Sequence, residues 1–166
     1  MHHPSLRELQ QWLAEARRLE LGSPSQVKLL GELRRHCPTF VPALLLASRA
    51  ELWNPDDTTS APTAFDEIER MLQVAVDVSD RAPGALNEQA RFHSVVRDSS
   101  ATAETLYREA SERALQALEE AWAGLIEALG EQDKSDEAAR LSERARQLFP
   151  ASSLLAEARD FAKLAE

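Results

Sequence analysis

The sequence predicts an all-α fold, and two observations carry this prediction. Apolar residues recur at spacings of three and four along most of the 166-residue chain, which is the period of a helix face that packs on a core. No segment alternates apolar and polar residues with the period of two that a half-buried strand requires. Proline, glycine and serine separate the helical segments, so we expect about seven to nine helices and negligible strand.

The first two helices have recognisable ends. Ser5 and Glu8 have the spacing of a capping box at the start of the first helix, and we expect Gly22 to close that helix. A serine followed by Pro24 then supplies a cap and a first-turn proline for the second helix. Pro38 ends the second helix because a proline cannot continue the hydrogen-bonding pattern.

The middle of the chain predicts three further helices. A third helix covers 40–53, and the turn-rich segment 54–63 follows it as the longest loop. We expect the fourth helix to begin at Thr63 and to end before a Pro-Gly pair at 83–84. The fifth helix covers roughly 86–97.

The last third of the chain leaves one question open. Residues 101–129 contain no proline and only one glycine, Gly124, so they form either one long helix or two helices with a tight break near 116–117. Ser135 is expected to cap the next helix. A serine at 152 or 153 starts the last helix.

Helix-ending prolines recur at intervals that indicate an internal repeat. Pro38 and Pro83 are 45 residues apart, which is a unit of about 34 residues plus a loop about as long as 54–63. Pro83 and Pro150 are 67 residues apart, close to two such units. Amphipathic helices with this period are typical of stacked helical hairpins.

The stretch from Ala121 to Pro150 resembles the tetratricopeptide repeat family. That family carries a tryptophan, a Leu-Gly pair and a tyrosine on a first helix, small residues on a second helix and a closing proline. In this chain, Trp122, Leu125 and Leu129 stand at the first-helix positions, Ala138 and Ala145 at the small positions, and Pro150 at the closing position. Two positions depart from the pattern: Ile126 replaces the usual glycine and Ser142 replaces the usual aromatic residue. Alanine at the small places lets two helices approach closely.

The resemblance implies a right-handed array of antiparallel helical hairpins, a TPR-like α-solenoid. It is closest over 119–150, less close over 38–83, and weakest over 1–37 and 84–115. A single domain of about three to four hairpins is expected, with units at 5–38, 39–83 (including the loop 54–63), 84–117 and 118–150, and a capping helix at 152–166. A generic alanine-rich helical bundle is the alternative.

The resemblance also implies a partner-binding groove lined by the first helix of each unit. Transferred to this chain, that geometry places on the groove Leu45, Arg49, Leu52 and Trp53 from the second unit and Asn87, Arg91 and Arg97 from the third. Trp53 and Arg49 are the strongest candidates, because aromatic and arginine side chains dominate binding hot spots. The alternatives are that Trp53 covers the end of its own hairpin and that the arginines are ordinary surface residues.

Charge and hydropathy narrow the classes of partner. The net charge of −9 is opposite to what a nucleic-acid binder needs to neutralise phosphates, so we expect protein or peptide partners and no nucleic acid. The longest apolar run, FVPALLLA, is far shorter than the roughly 20 residues of a membrane span. The N-terminus lacks the apolar region of a secretion signal, and a cytoplasmic location is expected.

No set of residues predicts catalysis, a cofactor or a metal. The histidines lack the spacing of a zinc site, and His2-His3 at the terminus is not a designed ligand pair. Cys37 follows His36 directly, and adjacent helical side chains point apart, so the two cannot act as nucleophile and base. Asp56 and Asp57 lack the spacing of a calcium loop.

We therefore expect a protein–protein interaction module, an adaptor or scaffold, and not an enzyme. A dedicated chaperone of a secreted or assembly client is one alternative, since small acidic tetratricopeptide-like chaperones have such clients. A structural homo-oligomer, whose last helix pairs with a copy of itself, is another.

Overall fold

The structure is a computed structural model that describes residues 4–53 and 61–163. Every regular element within these ranges is an α-helix. The eight helices are α1 (Leu6–Ala16), α2 (Pro24–His36), α3 (Val41–Trp53), α4 (Ala61–Val78), α5 (Pro83–Val95), α6 (Ser100–Glu131), α7 (Ser135–Leu148) and α8 (Ser153–Phe161). The all-α prediction is confirmed. The predictions for His2-His3 and for Asp56 and Asp57 fall outside the described residues.

The predicted N-terminal signals of α1 and α2 are confirmed. The Ser5 backbone N–H donates to Glu8 Oε2 at 2.7 Å, and the Glu8 N–H donates to Ser5 Oγ at 3.3 Å, which completes the capping box. Ser23 accepts a hydrogen bond from the backbone of Gln26, and Pro24 occupies the first turn of α2. Local chemistry alone therefore determines where these two helices begin.

Several predicted boundaries differ from the structure. Helix α1 ends at Ala16 and not at Gly22, because turn hydrogen bonds replace the helical pattern after Ala16. Helix α4 begins at Ala61, ahead of Thr63, and Pro83 is the first residue of α5. The prediction that Ser135 caps α7 is wrong. Lys134 stands at the cap without a side-chain hydrogen bond, after Asp133 in the left-handed conformation.

Helix α6 answers the question that the sequence leaves open. It is one helix of 32 residues, about 48 Å long, with no break near 116–117. The chain divides into two compact units, an N-terminal unit of residues 1–110 and a C-terminal unit of residues 111–166. Helix α6 contributes residues to both units. The division into four repeat units remains a prediction.

The N-terminal unit has a core of large aliphatic side chains. Helices α1 to α5 pack in succession, each against the next, and α3 also contacts α5 directly. The largest fully buried apolar side chains in this unit are Leu30, Leu33, Ile68, Leu72, Val76 and Leu86. Burying each of these contributes about 1.5–3 kcal/mol to the stability of the unit. The contact between α3 and α5 places these two helices side by side in one layer.

The core of the C-terminal unit is built largely from small residues. One cluster of buried side chains consists of Ala123, Ile126, Ala145, Leu155, Ala158 and Ala162. Half-buried Trp122 covers them, with its ring edge-on to Phe149 at a centroid distance of 6.2 Å. A Cβ atom on Gly130 would lie 2.7 Å from Ala162 Cβ, so the end of α6 and the C-cap residue of α8 approach more closely than an alanine at Gly130 would allow.

At the positions of the repeat pattern, burial agrees only in part with the prediction. Ala138 and Ala145 are fully buried, and Ser142 is buried although it stands where the family has an aromatic residue. Leu125 is 48% exposed, whereas Ile126, at the usual glycine place, is fully buried. Adjacent residues lie about 100° apart around a helix, so only one of this pair can face the core.

Candidate functional site

Trp53, the last residue of α3, packs its backbone against Gly22 and has an exposed side chain. Its side chain is 72% exposed. Its backbone lies against Gly22, which has φ +77°, and a Cβ atom at Gly22 would come within 2.8 Å of Trp53 Cβ and 3.2 Å of the Ala50 carbonyl oxygen. The glycine therefore allows the α1–α2 turn to pack directly on the end of α3.

The α1–α2 turn is held in place by a buried amide. The Gly22 N–H donates to Gln26 Oε1 at 2.8 Å, and Gln26 Nε2 donates to the Ala16 carbonyl oxygen at 2.9 Å. Gln26 is almost completely buried, so both hydrogen bonds are protected from water. This network holds Leu21, whose side chain is 44% exposed, beside the end of α3.

Leu21 and Trp53 form part of a surface pocket of about 240 Å³, which we call the Trp53 pocket. Arg49 from α3 and Glu88 and Arg91 from α5 complete its lining. The packing of α3 on α5 brings the two arginines to one place. The pocket thus combines two exposed apolar side chains with two arginines and one glutamate.

A shared carboxylate orders the charged side of the pocket. Arg49 Nε donates to Glu88 Oε2 at 2.9 Å, and its Nη2 donates to Glu88 Oε1. Arg91 Nη2 donates to the same Oε2 atom at 2.8 Å. The Glu88 side chain is only 12% exposed, whereas those of Arg49 and Arg91 are 47% and 45% exposed. Two accessible cations therefore share one shielded anion.

This arrangement shifts the pKa values of Glu88 and Arg49. Burial tends to raise the pKa of Glu88, but the hydrogen bonds and charges of Arg49 and Arg91 outweigh it and lower that pKa. The hydrogen bond to Glu88 raises the pKa of Arg49, against the opposing effect of burial. Glu88 is therefore ionised and Arg49 protonated at neutral pH. With two arginines and one glutamate, the pocket carries a formal excess of one positive charge.

The other predicted site residues lie elsewhere. Leu45 and Leu52 are half-buried and pack against the core of the N-terminal unit, and Asn87 is exposed on α5. Arg97 donates from Nε to Glu69 Oε2 at 2.9 Å and from Nη2 to Asp66 Oδ1 at 2.5 Å. It also lies over the Phe92 ring, 5.6 Å from the centroid. The remaining predicted residues, Arg49, Trp53 and Arg91, all line the Trp53 pocket.

Sequence reasoning missed three residues that shape the pocket. The spacing of Glu88 and Arg91 is that of an i, i+3 ion pair on a helix, so Glu88 could have been found from the sequence. Leu21 and Gln26 carried no comparable signal. Their role depends on the packing of the α1–α2 turn against α3.

A larger pocket of about 510 Å³ lies at α2, α4 and the start of α3. Its arginines include Arg34 and Arg70, which both pair with Glu67, and Arg34 also pairs with Glu51. No exposed aromatic side chain lines it. Its volume therefore favours this pocket as the binding site, but the Trp53 pocket has the side chains that are typical of binding hot spots.

Other candidate chemistry is not supported within residues 4–53 and 61–163. This part of the chain contains no group of three or more His, Cys, Asp or Glu side chains that could hold a metal ion. None of the described helices is both long enough and apolar enough to cross a membrane. His36 contacts the ring of Trp12 edge-on, with centroids 5.6 Å apart, and the Cys37 thiol is half-buried.

The sequence is similar to a known protein family and to a relative of nearly the same length. The model of the Myxococcota tetratricopeptide repeat protein family matches residues 1–80. A Myxococcus xanthus relative, described as "Uncharacterized 18.1 kDa protein in carS 3'region", is 39% identical over 163 residues, which cover 97% of this chain and 95% of the relative. The chain belongs to this tetratricopeptide repeat family. No solved structure matches it.

Membership of the Myxococcota tetratricopeptide repeat family confirms the resemblance that the sequence suggested. It supports a general protein–protein interaction module. The family match covers the N-terminal hairpins, including 1–37, where the general repeat pattern is weakest. In this family member the first hairpin is filled by buried leucines such as Leu13, Leu30 and Leu33, and a pattern that looks for small residues does not detect it.

Proposed function

We propose that this protein is an adaptor that binds a peptide or helix of a partner protein at the Trp53 pocket. The observation that carries the proposal is the 72% exposure of the Trp53 side chain, while its backbone is packed against Gly22. A tryptophan side chain has only two rotatable bonds, so it loses little conformational entropy when a partner covers it. Tryptophan and arginine are also the residues most enriched at binding hot spots.

The charges of the pocket favour an acidic partner segment. Arg49 and Arg91 share Glu88 and keep accessible donors, which leaves a local excess of one positive charge on a chain of net charge −9. A partner carboxylate would find two guanidinium groups next to the apolar surface of Trp53 and Leu21. We therefore propose a segment in which an apolar side chain lies beside an aspartate or glutamate.

Affinity capture with substituted proteins tests the proposal. Partners captured from the source organism by the wild-type protein should be lost with Trp53→Ala and with Arg49→Glu, while the unfolding midpoint stays nearly unchanged. Capture should also weaken as salt concentration rises, because the exposed charges are screened. A photo-crosslinking residue in place of Leu21 should label the same partner.

Two matched controls make the result specific. Arg35→Glu reverses a 69% exposed arginine at the larger pocket, and Phe161→Ala removes an exposed aromatic side chain from α8. Both variants should capture partners normally. If Arg35→Glu abolishes capture and Arg49→Glu does not, the partner binds at the larger pocket. If Trp53→Ala unfolds the N-terminal unit, Trp53 has a structural role at the end of its hairpin.

A further inference from the structure

The larger pocket, of about 510 Å³, is separate from the Trp53 pocket, and the two share no lining residue. It is formed by α2, the α2–α3 loop, the start of α3 and α4, all within the N-terminal unit. Its volume lies in the range of about 300–1,000 Å³ that is typical of small-molecule sites. The adaptor function proposed for the Trp53 pocket leaves this second pocket without a role.

The most buried part of the lining is apolar. Leu44 of α3 and Met71 of α4 are each 3% exposed, and Val74 beside them is half-buried. A methionine side chain is flexible and polarisable, so it can adapt its shape to a ligand. This surface suits a short apolar chain, because contact with it removes the chain from water.

The exposed part of the lining is cationic. The side chains of Arg35 on α2 and Arg70 on α4 are 69% and 68% exposed, and that of Arg34 on α2 is 25% exposed. Exposed Thr39 adds a hydroxyl group, and no Asp or Glu of the described residues lines the pocket. An anion that enters the pocket therefore meets guanidinium groups from two different helices.

Arg34 is fixed by two glutamates that stand outside the lining. Its Nη1 donates to Glu51 Oε1 at 2.7 Å, and its Nη2 donates to Glu67 Oε1 at 2.8 Å. Glu67 also accepts from Arg70, whose Nε lies 3.1 Å and whose Nη2 lies 2.5 Å from Oε2. These carboxylates hold the arginines at the edge of the pocket without occupying it.

The two exposed arginines keep hydrogen-bond donors for a ligand. A guanidinium group has five N–H groups. Among the described residues, Arg70 donates to Glu67 through Nε and Nη2, and Arg35 pairs with Glu32 through Nη2, so Nη1 is left over in both. The paired glutamates balance the formal charge of the arginines. Recognition of an anion here therefore depends on direct hydrogen bonds and not on a long-range field.

Gly31 supplies a second, independent observation at the same pocket. It lines the pocket from the middle of α2, where glycine is less favourable than alanine. Its backbone is not left-handed, and no atom lies within 4 Å of a Cβ atom added to it, so neither conformation nor packing requires a glycine. A side chain at position 31 would instead extend into open space at the pocket. Access for a ligand accounts for a glycine that the fold itself does not need.

We propose that the larger pocket binds a small organic anion, in which a carboxylate or phosphate group is attached to a short apolar chain. Arg35 and Arg70 bind the anionic group, and Leu44 and Met71 contact the chain. The volume of the pocket and the lack of an exposed aromatic side chain in its lining favour such a ligand over a segment of a second protein.

Isothermal titration calorimetry of the full chain with hexanoate, hexyl phosphate, hexylammonium and inorganic phosphate tests this proposal. At least one of the two hexyl anions should bind at one site per chain, at least about tenfold more tightly than both hexylammonium and inorganic phosphate. The tighter of the two identifies the preferred anionic group. If neither does so, the proposal is wrong. If a blocked Leu-Glu dipeptide binds in their place, the pocket takes a protein segment.

Substitutions test whether the ligand binds at this pocket. Combined Arg35→Gln and Arg70→Gln should weaken binding at least about tenfold, and both positions are exposed enough to leave the fold intact. Gly31→Leu should weaken binding as much while the helical circular dichroism is kept, because no atom lies within 4 Å of its added Cβ. The double arginine variant decides the result if Gly31→Leu does not fold.

Arg91→Gln is the matched control. Arg91 is 45% exposed and pairs with a glutamate three residues before it, as Arg35 and Arg70 do, but it lines the Trp53 pocket. It should bind the hexyl anion like the wild type. Unchanged binding by the double arginine variant, or an equal loss in Arg91→Gln, would overturn the assignment of the anion to the larger pocket.

Discussion

The two units of this protein pack their helices in different ways. The N-terminal unit buries alanines such as Ala43 and Ala75, but it also buries many large aliphatic side chains, such as Leu33, Ile68 and Leu86, and much of its stability comes from apolar area removed from water. The C-terminal unit buries mostly alanines, and Gly130 approaches Ala162 so closely that there is no space for a Cβ atom at position 130. Substitutions that remove side-chain volume should therefore destabilise the N-terminal unit most. Substitutions that add side-chain volume should destabilise the C-terminal unit most.

The largest effect should come from truncating the N-terminal core. Leu86→Ala and Leu33→Ala should each lower the free energy of unfolding by about 2–5 kcal/mol, because each leaves a cavity among fully buried side chains. Urea unfolding followed by circular dichroism measures this. Val95→Ala, at a 74% exposed position, should stay within about 0.5 kcal/mol of the wild type. Equal effects of Leu86→Ala and Val95→Ala would contradict the core described for this unit.

A substitution at Gly22 tests whether the N-terminal unit also depends on a close approach, here between Gly22 and Trp53. Gly22→Ala should cost about 1–2 kcal/mol for the left-handed backbone, and overlap with Trp53 should add to this. Gly31→Ala is the control, because no atom lies within 4 Å of its added Cβ. It should stabilise α2 by about 0.5–1 kcal/mol. Thermal unfolding of both variants should show opposite shifts, and shifts of the same sign would refute this account.

The C-terminal unit should be sensitive to added volume where Gly130 approaches Ala162. Gly130→Ala should destabilise by about 1–3 kcal/mol, because its Cβ would lie 2.7 Å from Ala162 Cβ. Ala138→Leu and Ala145→Leu should have costs in the same range, since both alanines are fully buried. Amide hydrogen exchange across α6 to α8 reports the change within this unit.

Gly124→Ala on the same helix is the control for this close approach, since nothing lies within 4 Å of its added Cβ. It should raise stability by about 0.5–1 kcal/mol through helix propensity. If Gly130→Ala is as stable as Gly124→Ala, then Gly130 and Ala162 are not as close as the structure shows, and the contrast between the units loses its main support.

The smallest effect concerns pH and the Trp53 pocket. The pKa of Glu88 is lowered in the folded protein, so its contribution to stability is present above the unfolded value of about 4.5 and is lost as pH falls through the folded value. Glu88→Gln should therefore lower stability at pH 7, by roughly 1 kcal/mol, and flatten the fall in stability below about pH 4.5. Unfolding midpoints measured from pH 7 to pH 3 test this.

Glu51 offers a contrast of opposite sign. Burial raises the pKa of Glu51 despite the neighbouring Arg34. Its contribution is present below the unfolded value and is lost as pH rises through the folded value, so Glu51→Gln should steepen the acid-induced fall. The same pH series compares the two variants, and a flattened curve for both would show that Glu51 is stabilised as an anion.

Features that depend on neighbouring residues could be predicted from the sequence. The capping box of Ser5 and Glu8 and the first-turn proline of α2 form through groups within one turn, so their spacing was sufficient. Ser135 was misjudged because the left-handed turn at Asp133 moves the cap to Lys134. The repeat pattern correctly predicted buried alanines at 138 and 145, but it could not show that Ile126 and not Leu125 faces the core.

The sequence by itself determined the all-α class and several helix ends, which follow from local hydrogen bonding and helical period. Its resemblance to the repeat family, and not any local pattern, implied three of the residues that line the Trp53 pocket. The tertiary structure alone decided that Glu88 pairs with Arg49, 39 residues away, and that Gly22 packs on Trp53. Such contacts join separate helices, and their geometry depends on how closely those helices approach, which no local pattern encodes.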